Sequence, residues 1–187
     1  AEEVHQLGLE QAAALTAKLN ELLRGQGLTQ GTVGQRIRGL YNNPDSFFPN
    51  TDAGKVDLIA YANKRQDLVR PALPRFFKRL PPYGFEVRRV PASIEAGASS
   101  AYAQGPSMDG SRPGIVYINL ADTAEWPRWS LASVIYHEGM PGHQMEAGLA
   151  LSNDALPMIR KVGGFAAYSE GWGLYAEALM AEPQNGA

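Results

Sequence analysis

His137-Glu138-Gly139-Met140-Pro141-Gly142-His143 gathers two imidazoles and a carboxylate into seven residues. A second acid, Glu170, follows 27 residues past His143 in Tyr168-Ser169-Glu170-Gly171-Trp172. Two histidines, an acid beside the first and another acid on a later helix are the parts of a hydrolytic zinc site. Catalytic zinc takes three protein ligands and keeps a fourth position for water.

The spacing sets the local fold. In the usual zinc-hydrolase pattern, His-Glu-x-x-His, the ligands stand four apart on one helical face and the glutamate is the general base. Here they stand six apart. Six residues of unbroken helix turn through about 600°, leaving the two rings roughly 120° apart. Proline lacks an amide hydrogen and clashes with the carbonyl four residues back, which for Pro141 is that of His137. Glycine tolerates dihedrals that other residues avoid. The sequence therefore predicts a helix that kinks or unwinds between Gly139 and Gly142, so that His143 swings back towards His137. A plainer alternative ends one helix at Gly139, begins another near Pro141 and leaves His143 as a cap.

Residues 165–180 read as one helix, with Phe165, Tyr168, Trp172, Tyr175 and Leu179 at three- and four-residue intervals. That stripe is expected in the core. Glu170 lies off it and shares a face with Gly173, Leu174 and Glu177. Gly171 and Gly173 each cost about 1 kcal/mol of helix stability against alanine. A helix carries such residues more readily where another backbone comes close, and the helix bearing the histidines is a candidate neighbour.

The two motifs, His-Glu-Gly-Met-Pro-Gly-His and Ala-Tyr-Ser-Glu-Gly-Trp-Gly-Leu-Tyr, resemble the paired signatures of the bacterial domain-of-unknown-function family 885. Ser107-Met108-Asp109-Gly110-Ser111-Arg112-Pro113-Gly114-Ile115-Val116-Tyr117-Ile118-Asn119 resembles the family's segment before its His-Glu helix, and Glu3-Val4-His5-Gln6-Leu7-Gly8-Leu9 also fits its pattern. The Glu170 segment is similar as well to the Asn-Glu-Gly-Phe-Ala stretch of zinc aminopeptidases. The resemblance implies a zincin-like metallopeptidase helical domain with His137, His143 and Glu170 as zinc ligands and Glu138 as base. One departure is visible: Gln144 stands where members often carry a second histidine after Pro-Gly-His. Glu146, three residues after His143, is a rival third ligand ranked below Glu170. Family members are commonly some three times longer, so the resemblance also implies a fragment or one part of a split protein. Its setting would be exported or periplasmic, although Ala-Glu-Glu-Val-His at the start is no signal peptide.

Composition narrows the class. The chain has 187 residues, 44% of them hydrophobic, and 17 Lys plus Arg against 19 acids. The near-balance gives no basic footprint for nucleic acid. No apolar run approaches the roughly 18 residues a membrane span needs. Cysteine is absent, which excludes disulfides and thiolate ligands.

Helices are expected over 8–24, with Leu9, Ala12, Ala13, Leu15, Leu19, Leu22 and Leu23 as a buried side, then over 32–41, 53–69 and 129–138. Pro71 and Pro74 should kink or end the third, with 75–80 as a possible continuation of its path. Phe85–Val90, Ser100–Ala103 and Gly114–Asn119 read as strands. The expected fold is mainly α with a small antiparallel sheet, in a single domain over 1–187. Ala101–Gly105 or Ile115–Ile118 could be an edge strand that pairs with a substrate backbone. Tyr102, Tyr168 and Tyr175 are candidates to contact substrate or stabilise an oxyanion, while His5 reads as surface.

The functional expectation is zinc-dependent peptide hydrolysis, with the rest of a longer polypeptide as a further partner. The alternative is a catalytically silent metal- or peptide-binding module. A carboxylate-bridged di-iron centre is set aside, because it needs Glu-x-x-His pairs and none involves His137 or His143.

Overall fold

A computed structural model describes residues 1–182. The final five residues of the expected single domain lie outside that range. The chain falls into two compact units, Ala1–Ser46 and Phe47–Ala187, a division for which the sequence holds no linker signal.

The first unit is two helices, α1 (Glu2–Gly25) and α2 (Val33–Leu40). Thr32 and Gln35 cap α2 reciprocally in a capping box, satisfying amides that the first helical turn leaves free. Arg36, buried, donates to the Leu28 carbonyl and to Asn20 Oδ1, tying the turn to both helices. His5 is exposed, as expected. Of the apolar side expected on the first helix only Leu23 is buried, and Leu9, Leu15 and Leu22 are more than half exposed. The physical reason is length: within the unit, 24-residue α1 outruns its 8-residue neighbour α2.

The second unit opens with α3 (Asp52–Val69), which Thr51 caps through its hydroxyl. At Arg70–Arg75, around Pro71 and Pro74, it passes into 3-10 turns, and the helix does not resume over 76–80. Three strands follow: β1 (Phe85–Arg89), β2 (Ala101–Gln104) and β3 (Gly114–Ile118). Their order is β1-β3-β2. The sheet is small, as expected, but mixed: β2 runs antiparallel to β3 while β1 runs parallel to it. The 24 residues between Arg89 and Gly114 are long enough for the crossover that parallel pairing requires. Val87, Val116 and Ile118 pack with Leu58 of α3 in the main core.

Four helices complete the unit: α4 (Arg128–Glu138), α5 (His143–Leu151), α6 (Met158–Val162) and α7 (Ala166–Met180). Leu131 and Ile135 of α4 join the main core. The expected stripe of α7 divides: Phe165 is 71% exposed, Tyr168 61% and Tyr175 50%, while Trp172 is partly buried against Phe77 and Leu179 packs against the second core cluster. The helix buries the face carrying Gly173, Ala176 and Met180. Small residues there let α7 approach α4 closely.

An ion pair between buried Glu95 and partly exposed Arg89 braces the strands. Glu95 takes both oxygens to Arg89, at 2.7 and 2.8 Å, and also accepts from the Leu120 amide at 3.2 Å. The Arg89 guanidinium holds the Glu95 carboxyl below its ordinary pKa, with the Leu120 amide adding to the effect.

Candidate metal centre

The segment between the two histidines is a true break. Helix α4 stops at Glu138, and α5 starts at His143 behind Gly142. The helix unwinds between Gly139 and Gly142 as expected and restarts as a separate helix, with Gly142 rather than His143 as its cap, and the imidazoles are brought together. Their ring centroids lie 4.8 Å apart at an interplanar angle of 87°.

Three residues hold the break through four hydrogen bonds. Gln66, buried on α3, donates to the Ile135 carbonyl at 2.9 Å and accepts from the Met140 amide at 3.1 Å. The Gly142 amide donates to the Tyr136 carbonyl at 3.0 Å. Trp172 of α7 donates its indole N–H to the Pro141 carbonyl at 2.8 Å. A Cβ on Gly142 would overlap the His137 carbonyl, so close backbone approach requires glycine here. The Met140–Pro141 peptide is cis. Gln144 then ties α5 to the sheet, donating to the carbonyls of Gln104 and Ile115 at 3.0 and 3.1 Å.

His137, His143 and Glu170 each offer a ligand atom, and these atoms lie within 4.8 Å of one another. Nε2 of His137 stands 3.3 Å from Oε2 of Glu170, and Nε2 of His143 stands 3.8 Å from Oε1 of the same carboxylate. Both histidines are largely buried, whereas Glu170 is 60% exposed. The Glu170 carboxylate thus closes the cluster from its solvent side.

The opposite nitrogens also face carboxylates. Nδ1 of His137 is 2.8 Å from Oε1 of Glu177, whose other oxygen accepts from the Ser133 hydroxyl. Nδ1 of His143 is 3.6 Å from Oε2 of Glu146, too long for a good hydrogen bond yet close enough to act electrostatically. Chiefly through Glu146, against the opposing effect of burial, the His143 imidazole is held above its ordinary pKa. Glu146, the rival ligand, is therefore placed behind His143 and outside the three-residue cluster.

Sequence reading placed Glu177 on the face of Glu170 but gave it no part in the site. Gln66 carried no signal at all, being one amide on a long helix. Gly173 was informative: a Cβ there would lie 2.6 Å from Nε2 of His137, so the imidazole rests directly on the backbone of α7. Gly171 has open space around it, and the close-approach reading fails there.

Glu138 lies beside the cluster, partly buried. Burial pushes its carboxyl above the ordinary range, while His143 and His137 pull it down. The Ala103 amide faces this carboxylate and favours its charged form. Strand β2 is an edge strand and β3 is central, so of the two strands considered only β2 has a free edge. The Asn119 amide bonds the Ser100 carbonyl. Alternation along an antiparallel ladder then turns the N–H and C=O of Ala101 and Ala103 outward.

The tyrosines divide. Tyr102 stacks on Tyr117 at 5.0 Å, on the sheet face opposite Val116. Tyr168 and Tyr175 lie about half a helical turn away from Glu170 and are exposed. The structure does not bring them to the cluster.

Two imidazoles and one carboxylate, with no thiolate, form a donor set that suits zinc in a site with an open position, and other divalent ions accept it too. Among the described residues, no helix is long and apolar enough to cross a membrane.

The chain belongs to the family described as "Bacterial protein of unknown function (DUF885)", whose model matches residues 1–186. The family read from the two motifs is borne out. A crystal structure of a candidate lipoprotein from Colwellia psychrerythraea is similar, with a TM-score of 0.93 and 35% identity. The match covers 97% of this chain and 31% of that one, so the chain spans less than a third of the relative's length. No curated protein matches the chain.

Proposed function

We propose that this chain carries the site of a zinc-dependent peptide hydrolase, with His137, His143 and Glu170 holding the cation and Glu138 acting as general base. One observation carries the reading. Three ligand atoms lie within 4.8 Å of one another, and the remaining nitrogen of each histidine faces a carboxylate, Glu177 or Glu146. Metal-ligating imidazoles ordinarily have such an outer partner.

When bound, zinc supplies a Lewis acid that acidifies water and polarises a carbonyl. Glu138 takes a proton from water and delivers it to the leaving amine. A carboxyl raised by burial is suited to both halves of that transfer, since a catalytic group works best with its pKa near the working pH. The outer edge of β2 pairs with the substrate backbone through Ala101 and the Ala103 carbonyl, the Ala103 amide facing Glu138, which makes an extended peptide the substrate class. Tyr102, on the same strand, is the one tyrosine retained as a substrate contact.

The test is cleavage of a mixed-sequence peptide library by the zinc-loaded chain. Activity should vanish with a chelator and return with zinc. Glu138→Gln should keep its zinc and lose roughly 10²- to 10⁴-fold in rate. The second reading, a metal- or peptide-binding module that turns nothing over, is favoured by one fact: more than two thirds of the Colwellia relative lies beyond the matched part. Residues that complete the pocket would then come from further polypeptide. Zinc binding without cleavage would support that reading. The relative's description as a candidate lipoprotein supports an exported setting.

A further inference from the structure

We infer that Glu177 is a positioning residue: with Ser133 it fixes the orientation and tautomer of His137, so that Nε2 meets the metal with its lone pair exposed. The inference rests on the metal reading above and deepens it.

The argument begins with valence. A carboxylate only accepts hydrogen bonds, and a neutral imidazole carries one donor and one acceptor nitrogen. Of the two nitrogens only Nδ1 of His137 makes a hydrogen bond among the described residues, to Oε1 of Glu177 at 2.8 Å, so in the neutral ring Nδ1 carries the proton. Nε2 is left as the acceptor, and it is the nitrogen that faces Glu170 at 3.3 Å.

The carboxylate is itself held. Its second oxygen accepts from Ser133, which stands four residues before His137 on α4 and so shares its helical face. Both Glu177 oxygens are therefore engaged by α4. On α7, Glu170, Gly173 and Glu177 follow one another at three and four residues. The imidazole lies across that face, over Gly173, with a carboxylate at either nitrogen. His143 has no equivalent clamp, since Glu146 stands 3.6 Å away and no hydroxyl engages Glu146 among the described residues. The two ligands differ in how firmly each is prepared for the ion.

Imidazole tautomers are read by long-range proton–nitrogen correlation NMR on the labelled, metal-free chain at mildly alkaline pH. Free imidazole favours the Nε2–H form, and exposed His5 supplies that reference in the same spectrum. His137 should instead show Nδ1–H, and Glu177→Ala should return it to the His5 pattern. In chelator competition, zinc affinity should fall about 10- to 100-fold in Glu177→Ala, the usual cost of losing an outer partner. It should fall less in Ser133→Ala. Glu177→Met keeps most of the side chain's length without an acceptor oxygen and carries the same readouts if the alanine variant does not fold.

An unchanged His137 tautomer in the Glu177 variants, or zinc affinity within twofold of wild type, overturns the inference. A purely structural role would lower thermal stability and leave both readouts unmoved. If neither wild type nor variant binds zinc but the tautomer is fixed and then lost, the metal reading falls. The hold of Glu177 on the imidazole survives that result.

Discussion

The imidazole of His137 lies against the backbone of Gly173, where an added Cβ would stand 2.6 Å from Nε2. One glycine on α7 thereby makes room for a candidate ligand carried by α4, and the two helices meet where the site is built.

Gly173→Ala sets two effects against each other. Alanine favours a helix by about 1 kcal/mol over glycine, whereas overfilling a packed contact costs about 1–3 kcal/mol. Contact with a ring already held by Glu177 leaves little room to yield, so the clash wins. Thermal unfolding should show no gain in stability. Zinc affinity, followed by chelator titration, should fall by roughly tenfold or more, comparable to losing an outer partner.

Gly171→Ala should behave oppositely. Nothing lies within 4 Å of the position, so the helix gains up to about 1 kcal/mol. Melting temperature should rise and zinc affinity should stay unchanged. A loss of affinity would mean that α7 is placed differently against α4.

Much of this was legible in advance, and the limits have physical causes. Periodicity located the helix over 165–180 and the acid at Glu170, because spacing fixes which residues share a face. It does not fix which face is covered. The aromatic stripe of Phe165, Tyr168 and Tyr175 therefore read as core, while the buried face runs through Gly173, Ala176 and Met180. The leucines of α1 failed in the same way. The histidine pair was readable because Pro141-Gly142 announces a break. The amide that spans this break, Gln66, comes from a helix some 70 residues earlier, and no local pattern points to it. Parallel pairing of β1 with β3 is likewise a choice of tertiary path.

Gln66→Leu tests the break. The Ile135 carbonyl keeps its bond from the Gly139 amide, but the Met140 amide loses its acceptor. An orphaned buried amide costs about 1–3 kcal/mol. Denaturant unfolding should show that loss, and zinc affinity should weaken with it, since His137 and His143 flank the break. Full affinity at reduced stability would show that the turn keeps its shape without Gln66.

Acid should weaken the brace at Glu95. Its folded-state pKa is lowered, chiefly by Arg89, so its contribution is fully present above the ordinary glutamate value. That contribution is lost as pH falls through the lower, folded value. At neutral pH Glu95→Gln should cost roughly 2 kcal/mol, the scale of hydrogen bonds to a charged group. The difference from wild type should shrink below about pH 4.3, the ordinary glutamate range. Unfolding curves across that interval would show whether it does.

The most direct measurement is metal content by plasma mass spectrometry on the purified chain beside His143→Ala and Glu170→Ala. Near-stoichiometric zinc in the wild type, lost from both variants, is the predicted result. No zinc even after its addition, or zinc retained in both variants, would contradict a site built from His137, His143 and Glu170.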